Sequence, residues 1–177
     1  MTNDNNNLIV YCEWDGEHVA DVSLELLTKG RVLATRLGVK LEAIVAGHNL
    51  GNVEDTLAPY GADVVYKVDD ARLFPYTTNP HAALLINLFK EINPQICLMG
   101  ATCIGRDLGP RVSSSLHSGL TADCTSLEIG DHTDAKTGKS YTDLLYQIRP
   151  AFGGNIVATI VNPECCLLYT SPSPRDS

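Results

Sequence analysis

Short apolar runs alternate with segments of helical spacing along the first two thirds of the chain. The run Leu8–Cys12 is wholly apolar, which is typical of a strand buried on both faces. The next segment carries apolar residues at helical spacing and predicts a helix that ends at Gly38, the apolar set being Val19, Val22, Leu26, Leu33 and Leu37.

The same alternation predicts the elements up to residue 118. Apolar runs predict strands at residues 40–46, 62–68 and 95–99. Asn52 is placed to cap a short helix. Asn79 as a cap and Pro80 at the first position predict the start of a longer helix, which Asn93-Pro94 should end. A glycine-rich turn then leads into a helix that runs to about Ser118.

After residue 118 the pattern changes to strands without intervening helices. Residues 122–129, 141–149 and 155–161 have the composition of strands, separated by polar loops or turns. Strands that alternate with helices indicate β-α-β units. The sequence therefore predicts a three-layer α/β fold: a doubly wound, mostly parallel sheet with helices on both faces and an antiparallel extension.

Composition limits the function classes. The 177 residues suffice for one domain, and the net charge of −8 argues against a nucleic-acid partner. No apolar run approaches the roughly 18 residues of a spanning helix. Residues 1–7 are polar and resemble a disordered end rather than a signal peptide. The six cysteines form no C-x-x-C pair, so we expect a reducing cytoplasm, no disulfide framework and no metal site.

The strand-to-helix turn Gly100–Gly105 lies where a phosphate-binding loop would lie. A phosphate loop needs Lys followed by Ser or Thr after the second glycine, whereas Arg106 and Asp107 stand there. Asp107 would repel a phosphate and instead suits the positive end of the helix. This favours a tight turn without a ligand, and no G-x-G-x-x-G fingerprint occurs elsewhere.

Other polar clusters also have structural explanations. Arg106 and Arg111 could pair with carboxylates at an interface or simply face solvent. The serines at 113–115 lack the partners of a nucleophile. No two histidines have i, i+4 spacing, and we expect most of the five at the surface. Asp69 and Asp70 are expected to be solvated, because adjacent side chains of an extended segment point apart.

The turn at residues 149–155 combines a cation, an aromatic ring and bare backbone. Two glycines permit positive φ and close backbone approach. The turn could be a plain hairpin or could contact another domain or a flavin-sized ligand. The candidate residues for flavin-site or domain-border contacts are Arg149, Phe152, Gly153, Gly154 and Asn155.

Three segments together carry a family resemblance: residues 100–111 (GATCIGRDLGPR), residues 119–124 (GLTADC) and residues 149–161. From Leu8 to about Cys165 the chain resembles the N-terminal domain of the electron transfer flavoprotein alpha subunit. The resemblance implies a fold of the adenine nucleotide alpha hydrolase-like kind, similar to universal stress domains. It also implies a cytoplasmic heterodimer with a beta subunit.

The resemblance further implies an electron carrier, not an enzyme. In this family FAD is held mainly by the C-terminal domain of the alpha subunit and takes electrons from flavoprotein dehydrogenases such as acyl-CoA dehydrogenase in fatty acid beta-oxidation. Some anaerobic members bifurcate electrons. Residues 8–165 would then be a scaffold and subunit-interface domain without its own FAD. The alternative is a free-standing nucleotide-binding module of the universal stress type.

Residues 166–177 differ from the rest in having a Ser/Pro cluster and no apolar period. They resemble the translation of a sequencing-library adapter, and the alternative is a genuine disordered tail. We therefore expect the fold to comprise residues 8–165 and the C-terminal FAD domain of the family to be missing.

Overall fold

A computed structural model describes residues 7–133, 138–150, 157–161 and 166–170. In that part of the chain the strands are β1 Leu8–Cys12, β2 Leu41–Gly47, β3 Val64–Asp69, β4 Ile96–Gly100, β5 Gly119–Cys124, β6 Ser126–Thr133, β7 Ser140–Pro150, β8 Val157–Val161 and β9 Cys166–Thr170. The α-helices are α1 Asp21–Leu37, α2 Val53–Leu57, α3 Thr78–Ile92 and α4 Cys103–Leu116. Short 3-10 turns lie at Ala58–Tyr60 and Ala71–Leu73.

The strands form two sheets. The larger one has the order β3-β2-β1-β4-β9-β5, and each of its pairings is parallel. The smaller one has the order β6-β7-β8 and is antiparallel. The predicted fold class is therefore confirmed: a parallel sheet flanked by helices, followed by an antiparallel extension.

Helices cover both faces of the larger sheet. Leu27 and Leu33 of α1 pack in one apolar cluster with Leu8 and Val10 of β1. On the other face, residues of α3 and α4 form a second cluster with Ile9 of β1. Because successive residues of a strand point to opposite faces, a strand covered on both sides must be apolar throughout, as β1 is.

The antiparallel sheet joins the cluster on the α1 side. Leu127, Ile129 and Leu145 are buried there against residues of α1 and β1. The predicted single strand at 122–129 is wrong, because two strands share this segment. The backbone of Asp123 has a φ of 56°, and a register shift lies between Ala122 and Cys124. This irregularity ends β5, so that β6 leaves the larger sheet and pairs with β7.

The segment 166–170 is a difference from the sequence expectation. Its backbone forms β9 and pairs in parallel with β4 and β5, whereas the sequence predicts a fold that ends at residue 165. The segment Cys-Leu-Leu-Tyr-Thr contains Tyr and Thr, which are enriched in strands, and the Ser/Pro cluster begins only after it. The origin of residues 166–177 stays a prediction.

Helix boundaries follow the capping signals with one exception. The helix predicted to end at Gly38 does so, and Gly38 adopts a left-handed φ of 69°. Asn93 likewise ends α3 with a φ of 44°. Asn79 as the cap of α3 is wrong, since Thr77 is the cap and the helix begins at Thr78. Pro80 is still tolerated, because the first amides of a helix have no intrahelical acceptor.

Candidate functional site

The carboxyl ends of β1 and β4 form the crevice where a fold of this topology binds ligands. The chain runs from β1 outward to β3 and then crosses back to β4 on the other side of β1. Parallel sheets bind ligands at such a reversal, outside the carboxyl ends of the two strands. We call this place the switch-point crevice and define it by Glu13, Ser23, Gly100, Thr102 and Gly105.

Glu13, the residue after β1, fills this crevice. Its side chain is buried, with 6% of the residue exposed. The Thr102 hydroxyl donates a hydrogen bond of 2.6 Å to Glu13 Oε1. The backbone of Glu13 is held twice by α1 and its cap: its N–H donates to Ser23 Oγ at 2.9 Å, and its carbonyl accepts from the N–H of Ala20 at 2.9 Å.

Sequence reasoning missed Glu13 as a site residue. The next residue, Trp14, packs against the core and donates its indole N–H to the His48 carbonyl at 3.1 Å. A usable signal was present, because an acidic residue directly after a wholly apolar strand lies at the carboxyl edge of the sheet.

The turn between β4 and α4 is built by Thr102 and two glycines. Thr102 caps α4, its Oγ1 accepting from the N–H of Gly105 at 3.0 Å. A Cβ on Gly105 would lie 1.9 Å from the carbonyl oxygen of Gly100. Gly105 therefore permits close packing of the helix on the strand end. This geometry is that of the tight turn, the interpretation that the sequence favoured over a phosphate loop.

The electrostatics of the crevice disfavour an anionic ligand. Burial raises the pKa of the Glu13 carboxyl, and the hydrogen bond from Thr102 opposes that rise. In its ionised form Glu13 places a negative charge beside the N-terminal cap of α4. That is the position where this kind of fold would otherwise hold a ligand phosphate.

The charged residues of α4 bind neighbouring elements of the same domain. Asp107 accepts hydrogen bonds from the hydroxyls of Thr78 and Tyr76, which hold the pKa of its carboxyl below the usual range. Arg106 pairs with Asp123 of β5 at 2.8 Å, and Arg111 donates to the side-chain oxygen of Asn79. Asp107, predicted as a helix-dipole partner, is thus also a tie between α4 and the start of α3.

The flavin or domain-border turn is only partly described. Arg149 lies near the end of β7, exposed, with its backbone opposite Ala158 of β8. The other candidates, Phe152, Gly153, Gly154 and Asn155, lie outside the described residues. Their contact with a flavin or a neighbouring domain stays a prediction.

His81 is buried, an exception to the expectation that most of the histidines lie at the surface. It is 2% exposed, and its ring bridges two elements: Nδ1 lies 2.9 Å from the Tyr11 hydroxyl and Nε2 lies 2.9 Å from the Leu73 carbonyl. A carbonyl only accepts, so Nε2 carries the proton and Nδ1 accepts from Tyr11. Burial lowers the pKa of this imidazole.

Other chemistries find no support in the described part of the chain. No cluster of three or more His, Cys, Asp or Glu in that part could hold a metal ion. The Ser113 hydroxyl donates to the Ser118 carbonyl and that of Ser115 to the Arg111 carbonyl, so both serve the helix. Asp69 accepts from two backbone amides, and Asp70 pairs with Arg72. Among the described helices, none combines the length and apolar content that crossing a bilayer requires.

Comparison with known proteins identifies the family. Residues 8–173 match the electron transfer flavoprotein domain. The chain belongs to the electron transfer flavoprotein family. It is 43% identical over 162 residues to the electron transfer flavoprotein subunit alpha of Thermoanaerobacterium thermosaccharolyticum, a match that covers 92% of this chain and 46% of that protein. It is 48% identical over 147 residues to the corresponding subunit of Clostridium acetobutylicum, covering 83% of this chain and 41% of that subunit.

A relative with a different role is the lactate dehydrogenase (NAD(+),ferredoxin) subunit LctC of Acetobacterium woodii. The two are 37% identical over 173 residues, or 93% of this chain and 39% of LctC. This electron transfer flavoprotein chain thus spans less than half the length of the curated relatives it matches. The resemblance to the N-terminal domain of the alpha subunit is confirmed.

The family implies FAD in the parent protein, so the fit of FAD to this domain can be judged. FAD carries a diphosphate, and the carboxyl of Glu13, a residue that is 6% exposed, already occupies the switch-point crevice. A carboxylate at that position repels a diphosphate. The crevice therefore does not fit FAD, and Arg149 is the described residue that remains a candidate for contact with it.

Proposed function

We propose that this chain is a non-catalytic scaffold and subunit-interface domain of an electron transfer flavoprotein alpha subunit. Its parent carries electrons between flavoprotein dehydrogenases and an acceptor through FAD, and the redox chemistry belongs to the flavin. The observation that carries the proposal is the switch-point crevice, filled by the domain's own Glu13. A domain whose ligand position is occupied by its own side chain acts through its surfaces.

The partner surface is proposed to include the end of β7. Arg149 is exposed there and offers a permanent charge with five donors. The partner is the electron transfer flavoprotein beta subunit, and the dehydrogenases are of the acyl-CoA dehydrogenase class. The proposed location is the reducing cytoplasm that the cysteine spacing predicts.

Co-elution tests the subunit-interface role. The chain is produced together with the beta subunit of the same source and separated by size-exclusion chromatography. We expect the two to elute together, Arg149→Ala to weaken the co-elution and Lys40→Ala, at an exposed position of equal charge, to leave it unchanged. Separate elution under conditions in which a full-length alpha subunit pairs would refute the proposal.

The alternative, a nucleotide-binding module of the universal stress type, has a simple discriminating test. Ligands that bind only the native state raise the unfolding midpoint. We expect ATP to leave the midpoint of the wild-type chain unchanged, and the purified chain to be colourless. An ATP-dependent rise would favour the alternative, and a stoichiometric yellow preparation would contradict the absence of FAD from this domain.

A further inference from the structure

The N-terminus of a helix that begins at a switch point favours a negative charge beside it. The first amides of α4 have no intrahelical acceptor, and the helix dipole places partial positive charge at its start. In folds of this topology a ligand phosphate commonly binds at that N-terminus. In this chain Thr102 Oγ1 accepts a hydrogen bond from one of these amides, that of Gly105, and its hydroxyl donates a hydrogen bond to Glu13.

The position of the carboxylate follows from one hydrogen bond and from the distances around the end of β4. Glu13 Oε1 lies 2.6 Å from Thr102 Oγ1. It would lie 3.2 Å from a Cβ built on Gly100, the last residue of β4. The Val22 methyl carbons of α1 would lie at the same distance from that Cβ. The carboxylate therefore sits directly over the end of β4, between α1 and the cap of α4.

The side chain has little freedom to leave this position. The Glu13 backbone is fixed by Ser23 on one side and by Ala20 on the other. The residue is 6% exposed, so an outward rotation would have to displace the residues that cover it. An incoming phosphate would thus meet the Glu13 carboxyl in the volume that it has to occupy, and would meet a negative charge there when that carboxyl is ionised.

We propose that Glu13 is the specificity-determining residue of the switch-point crevice: a built-in anion that takes the place of a ligand phosphate and so excludes phosphate-bearing ligands. The inference rests on the proposed function, in which the domain works without a ligand of its own. The inference names Glu13 as the residue that keeps the crevice free of such a ligand. It also makes a positive claim, that the crevice becomes an anion site once the carboxylate is removed.

The test compares variants in their response to inorganic phosphate, with sodium chloride at matched ionic strength as the reference. Glu13→Ser removes charge and volume, and Glu13→Gln removes charge at nearly constant volume. Glu17→Ser is the control, since Glu17 is exposed in the loop that follows β1. Phosphate at roughly ten times its Kd should raise the unfolding midpoint of a binding variant by about 3 °C.

We expect phosphate to stabilise Glu13→Ser most, Glu13→Gln less, and neither the wild type nor Glu17→Ser. ATP should stabilise Glu13→Ser alone, because the uncharged Gln amide can donate to a small phosphate at the edge of the crevice but leaves no room for a nucleotide. Stabilisation of the wild type by phosphate would overturn the proposal, as would a folded Glu13→Gln that responds like the wild type. Glu13→Gln decides the matter if Glu13→Ser does not fold.

The same variants separate this inference from the proposed function. A phosphate-binding Glu13→Ser that still elutes with the beta subunit supports both. Gain of phosphate binding without co-elution of the wild type would leave the role of Glu13 intact and refute the subunit-interface role. If the wild type co-elutes with the beta subunit but no Glu13 variant gains phosphate binding, the subunit-interface role is supported and the role of Glu13 is refuted.

Discussion

Thr102 donates its hydroxyl hydrogen to Glu13 Oε1 across 2.6 Å, although 89 positions separate the two residues. The same oxygen of Thr102 accepts from the N–H of Gly105. One hydroxyl therefore joins the end of β1 to the start of α4. These two hydrogen bonds of Thr102 form a relay that fixes the Glu13 carboxyl relative to the first turn of α4.

Replacing Thr102 by valine should destabilise the folded protein. The isosteric side chain removes the cap of α4 and leaves the buried carboxyl of Glu13 without its donor. We expect a loss of about 2–3 kcal/mol in the free energy of unfolding, measured by urea denaturation. Thr28→Val, at an exposed position within α1, should change it by no more than about 0.5 kcal/mol. Equal effects of the two substitutions would show that the relay has no energetic role.

Gly105 should not tolerate even a methyl group. A Cβ there would approach the Gly100 carbonyl oxygen to 1.9 Å, and backbone cannot move aside as a side chain can. We expect Gly105→Ala to cost at least about 3 kcal/mol or to prevent folding.

Gly30→Ala is the matched control for Gly105→Ala, because its Cβ would meet side-chain atoms rather than backbone, a Leu41 methyl carbon at 2.9 Å and a Leu8 methyl carbon at 3.3 Å. Alanine gains helix propensity of about 1 kcal/mol over glycine, which offsets part of the cost of repacking these buried side chains, so the net loss of stability should be well below that of Gly105→Ala. Circular dichroism and urea denaturation measure both variants. A well-folded Gly105→Ala of wild-type stability would show that the turn is not close-packed.

His81 should make stability depend on pH below about 6.5. Burial lowers the pKa of the folded imidazole from its ordinary 6.5, so on acidification the unfolded chain takes up this proton before the folded chain does. The contribution to stability is therefore present above pH 6.5 and is lost as the pH falls from 6.5 toward the lowered pKa. The groups facing the ring are the Tyr11 hydroxyl, the Leu73 carbonyl and the ring of Tyr76, at a centroid distance of 4.9 Å.

The variant that tests this is His81→Gln, which should flatten the pH dependence between pH 5 and 6.5 and lower stability at pH 7 by about 2 kcal/mol. Chemical denaturation at several pH values from 5 to 7 gives both the slope of stability with pH and the stability at pH 7. His132→Gln, at an exposed position, should keep the wild-type slope. The same slope in both variants would mean that His81 does not titrate differently in the two states.

Glu42 should make the free energy of unfolding fall as the pH rises, opposite to the effect of His81. Burial raises the pKa of its carboxyl, an effect that the Tyr66 phenol reduces. The folded state thus holds this proton at a higher pH than the unfolded state, and stability is lost as the pH rises from 4.5 through the raised pKa.

We expect Glu42→Gln to be more stable than the wild type at pH 7, by on the order of 1 kcal/mol, and about equal to it near pH 4. The control is Glu54→Gln, because Lys67 lowers the pKa of Glu54 and the substitution removes that ion pair. It should not stabilise the protein at pH 7. A Glu42→Gln variant that is less stable at both pH values would contradict the expected shift.

Much of the fold could be predicted because its signals are local. The run Leu8–Cys12 coincides with β1, and Gly38 and Asn93 end their helices as expected. The start of α3 could not be read from Asn79-Pro80, because Thr77 competes as a cap and Thr78 is fixed by Asp107, a residue of another helix. The split between β5 and β6 depends on the left-handed backbone of Asp123, and a single Asp, although it tolerates that conformation, is too weak a signal to predict a break in a strand.

The candidate site was harder to predict, since its central contact is long-range. Sequence reasoning found the turn Gly100–Gly105 and the charges of Arg106 and Asp107, which are all local features. It could not pair Glu13 with Thr102, because their contact depends on the order in which β1 and β4 lie in the sheet. The buried position of His81 was missed for a similar reason, as its partners Tyr11 and Leu73 belong to other elements.

The central claim is that this domain holds no cofactor and works by docking on the beta subunit. Native mass spectrometry of the two chains, co-expressed and supplied with ATP and FAD, tests it most directly. The expected result is a one-to-one complex from which collisional activation releases this chain at its bare mass of 19.1 kDa. Release of this chain with a stoichiometric nucleotide or flavin adduct, or the absence of any complex, would contradict the claim.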